Sequence, residues 1–289
     1  MTCISTHRPR RAAAILGAAA LLLAAPHPGS DGELRLAAPA AAQPMPSMAE
    51  LEILPGWRDG SGRHVAGLRI SLDPGWKTYW RAPGDAGIPP HFDWSGSRNI
   101  AGAEVLWPAP EVFTSNGLTS VGYVSDVILP IVFTPRDPDR PIRLEGRVDL
   151  GVCENICVPV SMKVSAALEP GARSADPRIV AAMDARPSSG AQAGAGPLTC
   201  AVTPTEGGLR LNVEVTLAPR GAGEHAVVEL GRAGAWVSEA ELVRDGDRLS
   251  SQVDVVPPRG APFMLDRSQV RLTVLGPRGA VDMQGCTGG

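Results

Sequence analysis

The sequence predicts an all-β protein with two β-sandwich domains and one short linking helix. Gly 33 and Pro 28 among 289 residues are too frequent for long helices, because both residues destabilise a helix interior. Hydrophobic residues make up 44% and charged residues 20% of the chain, which is typical of a globular protein. Short segments of alternating apolar and polar residues recur between turns rich in Pro and Gly, and this pattern favours β-sandwiches.

The N-terminal segment has the order of a secretory signal peptide. A basic stretch at residues 7–11 precedes an uncharged apolar run at residues 12–25. That run is shorter than the roughly 20 residues of a membrane span. We expect cleavage after Ala42, which removes residues 1–42, or near Ala25. The mature chain is then expected to be a periplasmic monomer without a transmembrane segment, in a compartment where disulfides form.

The charge and the scattered histidines argue against several classes of function. The formal net charge of -3 at pH 7 argues against nucleic acid as a partner, which would need a basic surface. His64, His91 and His225 lack the spacing of metal ligands, so we predict no metal site. The sequence has no hydrolase triad motif, phosphate loop or nucleotide fingerprint, so we predict no cofactor.

Residues 48–170 are predicted to form the first domain. The pattern of a half-buried strand is clearest at residues 64–72, where every second residue is apolar. Turns rich in Pro and Gly separate such strands, which favours an immunoglobulin-like sandwich. The predicted strands are residues 52–54, 64–72, 77–81, 104–107, 127–134, 142–150 and 157–168.

Residues 171–197 are predicted to link the two domains. Asp176 can cap a helix over residues 176–185, and Pro177 suits its first turn. Residues 188–197 are rich in Gly, Ala and Ser, which is typical of a flexible linker. Strand patterns return in residues 198–289, which are predicted to form a second, smaller β-sandwich. Its predicted strands are residues 209–217, 225–230, 242–243, 249–256, 270–275 and 281–283.

Cys153 and Cys157 lie close together in the stretch Gly-Val-Cys-Glu-Asn-Ile-Cys-Val-Pro. Strand-like residues flank both, and the residues between them can turn a hairpin that brings the cysteines to disulfide distance. A disulfide that closes so small a loop removes little unfolded-state entropy. The residues therefore favour a redox-active bond, and a structural clip or a metal site stay open as alternatives. Because Cys157 precedes Val-Pro, we expect it to be the less exposed cysteine.

Cys200 and Cys286 lie near the two ends of the second domain. A bond between them would close a long loop, for which the loop-entropy relation gives a stabilisation of roughly 4 to 5 kcal/mol. We predict a structural disulfide here, with a second redox pair as the alternative. Cys3 belongs to the predicted signal peptide.

Aromatic residues are dense at residues 75–81, and two interpretations are open. Trp76, Tyr79 and Trp80, together with Tyr123, either pack in the core, where aromatics dominate burial, or form a surface that docks a partner. Exposed Trp and Tyr are typical of such docking surfaces.

Several motifs resemble a known family. They are the run at residues 75–90, Trp-Pro-Ala-Pro at residues 107–110, Gly122-Tyr123, Leu129-Pro130 and the cysteine pair before Pro159. Together they look like the N-terminal periplasmic domain of the thiol:disulfide interchange protein DsbD. The similarity covers residues 48–170 and is closest to the two-domain exported region of the ScsB (copper-sensitivity suppressor B) type.

The resemblance implies an immunoglobulin-like domain whose Cys153–Cys157 pair relays electrons. In the family, a membrane-embedded partner domain reduces the pair, which then reduces periplasmic thioredoxin-like oxidoreductases. The family's membrane domain and terminal thioredoxin-like domain are not found in this sequence, so we expect both partners to be separate proteins. A cap loop shields the cysteines in the family, and its candidate residues here are Phe113, Asn116 and Gly117.

Two functions are therefore predicted. The first is a periplasmic thiol-disulfide exchange protein, which would be a protein-disulfide reductase if it is active without fused domains. The resemblance links it to cytochrome c biogenesis and to copper tolerance. The second is a non-catalytic periplasmic adaptor in which both disulfides are structural, again with a link to copper tolerance. The reduction potential of the cysteine pair separates the two.

Overall fold

Alternating apolar residues form the buried faces of two β-sandwiches in the computed structural model, which describes residues 48–84, 86–115, 117–231, 234–258 and 263–288. The all-β class, the two sandwiches and the single short α-helix are confirmed for these residues. The predicted signal peptide lies outside them. Within the described ranges, no helix has the length and apolar character that crossing a membrane would require.

The first sandwich has two antiparallel sheets. Its strands are β1 (Ala49–Arg58), β2 (His64–Leu72), β3 (Lys77–Gly84), β4 (His91–Asp93), β5 (Ile100–Val105), β6 (Glu111–Ser115), β7 (Leu118–Tyr123), β8 (Val127–Pro135), β9 (Ile142–Cys153) and β10 (Cys157–Leu168). One sheet has the order β1-β2-β8-β5 and the other β10-β9-β3-β7-β6, with β4 paired to β9. The core between them includes the fully buried side chains of Trp80, Leu68, Ile131 and Phe133. This core anchors β3, the central strand of the second sheet.

The predicted helix is α1 (Pro177–Asp184). The Asp176 carboxylate caps it by accepting a hydrogen bond from the Arg178 backbone N–H at 2.9 Å, as the sequence predicts. The buried Ile179 packs against Leu54, Val65 and Val132. The helix therefore closes a small apolar cluster on the outer face of the first sandwich.

The second sandwich also has two sheets. Its strands are β11 (Ser188–Ser189), β12 (Thr199–Thr205), β13 (Gly208–Thr216), β14 (His225–Glu229), β15 (Trp236–Val237), β16 (Glu241–Asp245), β17 (Arg248–Val256), β18 (Arg271–Leu275), β19 (Val281–Gln284) and β20 (Thr287–Gly288), with a 3-10 turn at Arg267–Gln269. One sheet has the order β11-β19-β18-β14 and the other β15-β17-β13-β12-β20, with β16 paired to β17. Valine and leucine side chains from both sheets form its core.

Residues 188–197 differ from the predicted flexible linker. Ser188 and Ser189 pair in parallel with β19, and the Gly196 N–H donates to the Thr216 carbonyl at 2.8 Å. Gly190 lies so close to Met283 that an added Cβ would sit 2.7 Å from its Cγ. The small residues here allow close packing against the second sandwich. Close packing, like flexibility, can thus account for a segment rich in Gly, Ala and Ser.

One arginine joins the two sandwiches. The Arg81 guanidinium donates three hydrogen bonds to the Glu229 carboxylate, at 3.0, 3.2 and 2.9 Å, and a fourth to Thr273 Oγ1 at 3.3 Å. Asp282 lies 4.0 Å away, and the Trp80 ring lies 3.7 Å below the guanidinium carbon. Since Arg81 is mostly buried, this network fixes β3 to the second sandwich.

The buried His64 and the half-buried His225 make stability depend on pH. Burial lowers the pKa of His64, and the positive charge of Arg58 adds to the effect; burial also lowers the pKa of His225. The unfolded chain therefore binds more protons than the folded one below about pH 6.5. We expect the free energy of unfolding to fall as the pH is lowered through this range. Urea unfolding at neutral pH and at pH about 5 measures the fall.

His64→Gln should flatten this dependence, whereas His91→Gln should not, because His91 is exposed. If lowering the pH reduced the free energy of unfolding equally in the wild type and in the His64→Gln variant, His64 would not be a cause of the pH dependence.

Candidate disulfide exchange site

The two strands of the longest hairpin end at the candidate site. Strands β9 and β10 pair without a register shift from Ile142 and Leu168 to Cys153 and Cys157. The two cysteines are direct partners, with Cα atoms 4.2 Å apart and their sulfurs bonded. Residues 154–156 form the exposed turn, and 77% of the Ile156 surface is accessible. The disulfide therefore lies at the tip of a hairpin.

The two cysteines differ in exposure, in the opposite sense to the sequence prediction. Cys153 is buried, with 6% of its surface accessible, whereas Cys157 is exposed. The reason is sheet order: β10 is an edge strand, while β9 lies between β10 and β3. A partner can reach the sulfur of Cys157, and Cys153 lies behind it.

Tyr79 of β3 contacts both sulfurs. Its hydroxyl donates toward Cys153 Sγ at 2.8 Å and Cys157 Sγ at 3.0 Å. Burial raises the pKa of Tyr79, so the phenol keeps its proton at neutral pH. The hydroxyl is therefore placed to stabilise a thiolate when the bond opens.

Two glycines make room for the Tyr79 ring. A Cβ at Gly151 would lie 2.9 Å from Tyr79 Cδ2 and 2.7 Å from the Cβ of Ile88. A Cβ at Gly87 would lie 2.8 Å from Tyr79 Cδ1. Any larger residue at either position would move the ring. Both glycines thus position the hydroxyl at the sulfurs.

The hairpin of β6 and β7 covers the other side of Tyr79. The Phe113 ring stacks on the Tyr79 ring at a centroid distance of 6.4 Å, and the Lys77 ammonium lies 6.0 Å from the Phe113 centroid. Gly117 has a φ of 79° in the turn of this hairpin, a conformation that glycine adopts readily. Asn116, the third predicted cap residue, lies outside the described residues. Phe113 therefore contacts the Tyr79 ring, and it is Tyr79 that contacts the sulfurs.

Other predicted aromatic contacts are structural. Trp80 is fully buried and Tyr123 is buried, and the Tyr123 hydroxyl donates to the Pro108 carbonyl at 3.0 Å. Trp76 is half-buried against the same core. Since Trp80, Tyr123 and Tyr79 are buried, their positions agree with the core interpretation and not with an exposed docking surface.

The second disulfide lies inside the second sandwich. Cys200 and Cys286 are bonded, and both are buried. Cys200 lies in β12, which pairs in parallel with β20 just after Cys286. The bond thus joins the start of this sandwich to its end, as a structural disulfide would.

Within the described part of the chain, no three His, Cys, Asp or Glu side chains cluster as a metal site would need. The chemistry that the hairpin tip can perform rests on its two sulfurs and on Tyr79.

A β-sandwich with an accessible disulfide at a hairpin tip has a geometry suited to thiol-disulfide exchange. Residues 51–169 match the family model described as "Thiol:disulfide interchange protein DsbD, N-terminal". The predicted resemblance to this family is confirmed over these residues, which belong to the first sandwich.

The fold of both sandwiches has a counterpart in a solved structure. The N-terminal periplasmic domain of ScsB from Proteus mirabilis aligns with a TM-score of 0.64 and 21% sequence identity, over 86% of this chain and 96% of that one. At this identity the likeness concerns the fold. No curated protein gives a significant match to the chain.

Proposed function

We propose that this protein is a periplasmic thiol-disulfide exchange protein. It relays electrons from a separate membrane reductase to periplasmic thioredoxin-like oxidoreductases through Cys153 and Cys157. The observation that carries the proposal is the Tyr79 hydroxyl, within hydrogen-bond distance of both sulfurs of an accessible disulfide. The roles in copper tolerance and cytochrome c biogenesis stay predictions.

The proposed exchange has two steps. The Cys157 thiolate of the reduced pair attacks one sulfur of the partner's disulfide, which breaks that bond, forms a mixed disulfide and releases the partner's other sulfur as a thiolate. The Cys153 thiolate then attacks the Cys157 sulfur, which closes the internal disulfide and releases the partner's second thiolate. Two electrons pass to the partner, and the pair becomes oxidised.

The reduction potential of the Cys153–Cys157 pair tests the proposal. Equilibration of the mature protein in glutathione or dithiothreitol buffers should give a value near or above about -250 mV, in the range of working oxidoreductases. The Cys200→Ala/Cys286→Ala variant removes the other disulfide and should give the same value. A potential below about -300 mV, or a bond that opens only on unfolding, would leave the adaptor function in its place.

Tyr79→Phe isolates the contribution of the hydroxyl. Loss of a hydrogen bond to a thiolate, worth about 1.5 to 3 kcal/mol, should raise the pKa of the Cys157 thiol by roughly 1 to 2 units. The pH dependence of alkylation of the reduced protein measures this pKa. Tyr123→Phe is the matched control, because its hydroxyl binds the Pro108 carbonyl instead. An unchanged thiol pKa in Tyr79→Phe would show that the hydroxyl does not stabilise the thiolate.

A further inference from the structure

A cleft of about 510 Å³ lies between the two sandwiches. Its first wall is the end of β3 with the loop after it, its second wall is β14, and its third is the segment at residues 235–240. Consecutive residues of β14 line the cleft. Since neighbouring residues of a strand point to opposite faces of the sheet, it is the edge of β14 that borders the cleft.

Among the described residues, no strand pairs with this edge of β14. The strand is the last in its sheet and pairs with β18 alone among the described strands. In the described ranges, no backbone hydrogen bond joins its other edge to a neighbouring segment. A row of unpaired N–H and C=O groups along a strand can pair with another extended chain.

The charges in the cleft favour a positively charged occupant. Arg81 is the one Lys or Arg among the described lining residues, and Glu229 already binds its guanidinium. The Glu239 side chain on the opposite wall is 42% exposed, and its carboxylate lies 4.0 Å from His225 Nδ1. Burial lowers the pKa of His225, so His225 leaves the Glu239 charge uncompensated at neutral pH.

An exposed aromatic side chain also lines the cleft. Trp236 has 56% of its surface accessible and lines the third wall. It is the only tryptophan of the second sandwich, and exposed tryptophans commonly anchor bound chains. The cleft therefore combines a strand edge, an apolar anchor and a negative charge.

We propose that this cleft binds an extended, positively charged peptide segment of the partner protein, which adds as a strand to the free edge of β14. The proposal rests on the exchange function proposed above, because it names how the partner is recognised. The first wall includes Gly87, which packs so closely to Tyr79 that an added Cβ would lie 2.8 Å from its Cδ1. A bound segment would therefore lie beside the loop that positions the disulfide.

A short synthetic peptide of alternating valine and lysine, without cysteine, tests the proposal. It should bind the mature protein in calorimetry and slow hydrogen exchange at the backbone amides of residues 225–229. A peptide of valine and glutamate should bind at least about tenfold more weakly. An N-methylated valine-lysine peptide, which cannot pair with a strand edge, should not bind.

Two pairs of variants identify the site. Glu239→Lys should weaken binding of the valine-lysine peptide by about tenfold, whereas Glu241→Lys, an equal charge change outside the cleft, should not. Trp236→Ala should weaken it as well, while Met264→Ala, at an exposed apolar residue outside the lining, serves as its control. Unchanged affinity for the valine-lysine peptide in Glu239→Lys and Trp236→Ala would overturn the proposal. So would unchanged hydrogen exchange at the backbone amides of residues 225–229 in the presence of the peptide.

The outcome is independent of the redox chemistry. The peptide has no cysteine, so a Cys153→Ala/Cys157→Ala variant should bind it equally well. A working reduction potential together with no peptide binding would reject the cleft and leave the exchange function standing. Peptide binding together with a reduction potential below about -300 mV would reject the exchange function and leave the cleft as a peptide-binding site.

Discussion

Replacement of Cys157 by alanine is expected to lower the rate of disulfide exchange by several orders of magnitude, because it removes the sulfur that a partner can reach. Cys153 is buried behind it in β9, so the remaining thiol should react slowly with dithionitrobenzoate. In Cys153→Ala, the exposed Cys157 should react quickly. That variant has no second thiol to resolve the mixed disulfide, so the adduct should accumulate.

The comparison of the two single variants has its own control. Both variants are expected to keep the Cys200–Cys286 bond and the fold of the hairpin. A difference in their rates of reaction with dithionitrobenzoate therefore reports how accessible each sulfur is. Full unfolding in urea should make the two rates equal. A faster reaction of the folded Cys157→Ala variant would reverse the order of attack proposed here.

Loss of the Cys200–Cys286 bond should have the largest effect on stability. This bond closes a loop with a sequence separation of 86, and the loop-entropy relation gives about 4.6 kcal/mol for a loop of this size. The separation for Cys153 and Cys157 is 4, for which the same relation gives only about 2 kcal/mol. We expect Cys200→Ala/Cys286→Ala to lower the free energy of unfolding far more than Cys153→Ala/Cys157→Ala does.

Urea unfolding of the two double variants and the wild type measures both losses. Alanine is the suitable replacement at Cys200 and Cys286, because both side chains are buried and a serine hydroxyl would need a partner. Equal losses for the two pairs would contradict the division into a structural bond and an exchange bond. The exchange rate of the Cys200→Ala/Cys286→Ala variant should stay near that of the wild type under conditions in which it is folded.

The sequence was sufficient to predict what depends on neighbouring residues. Alternation predicted β2 and β10, Asp176 and Pro177 predicted the start of α1, and the short spacing predicted a hairpin between the two cysteines. The β6–β7 hairpin was missed, because β6 is largely exposed and because β7, although buried toward its end, mixes small, polar and apolar residues without clear alternation. Short strands of this kind form because a neighbouring strand, here β3, pairs with β7.

The parts of the site that sequence reasoning missed depend on contacts between distant strands. Which cysteine is exposed follows from the order of β10, β9 and β3 in the sheet, which no local pattern encodes. Tyr79 is 74 and 78 positions away in sequence from the two cysteines whose sulfurs its hydroxyl contacts. No local pattern therefore distinguished Tyr79 from its neighbour Trp80, which is a core residue. The two glycines that receive the Tyr79 ring, Gly87 and Gly151, are recognisable only once that ring is placed.

The Arg81 network has a consequence for the size of the working unit. Tyr79 and Arg81 are separated by one residue in β3, so any displacement of that strand moves the hydroxyl and the guanidinium together. A fragment that ended before residue 198 would leave the Arg81 cation without the Glu229, Thr273 and Asp282 oxygens that now surround it. We therefore expect a fragment without the second sandwich to hold β3, and with it the Tyr79 hydroxyl, less firmly than the pair of sandwiches does.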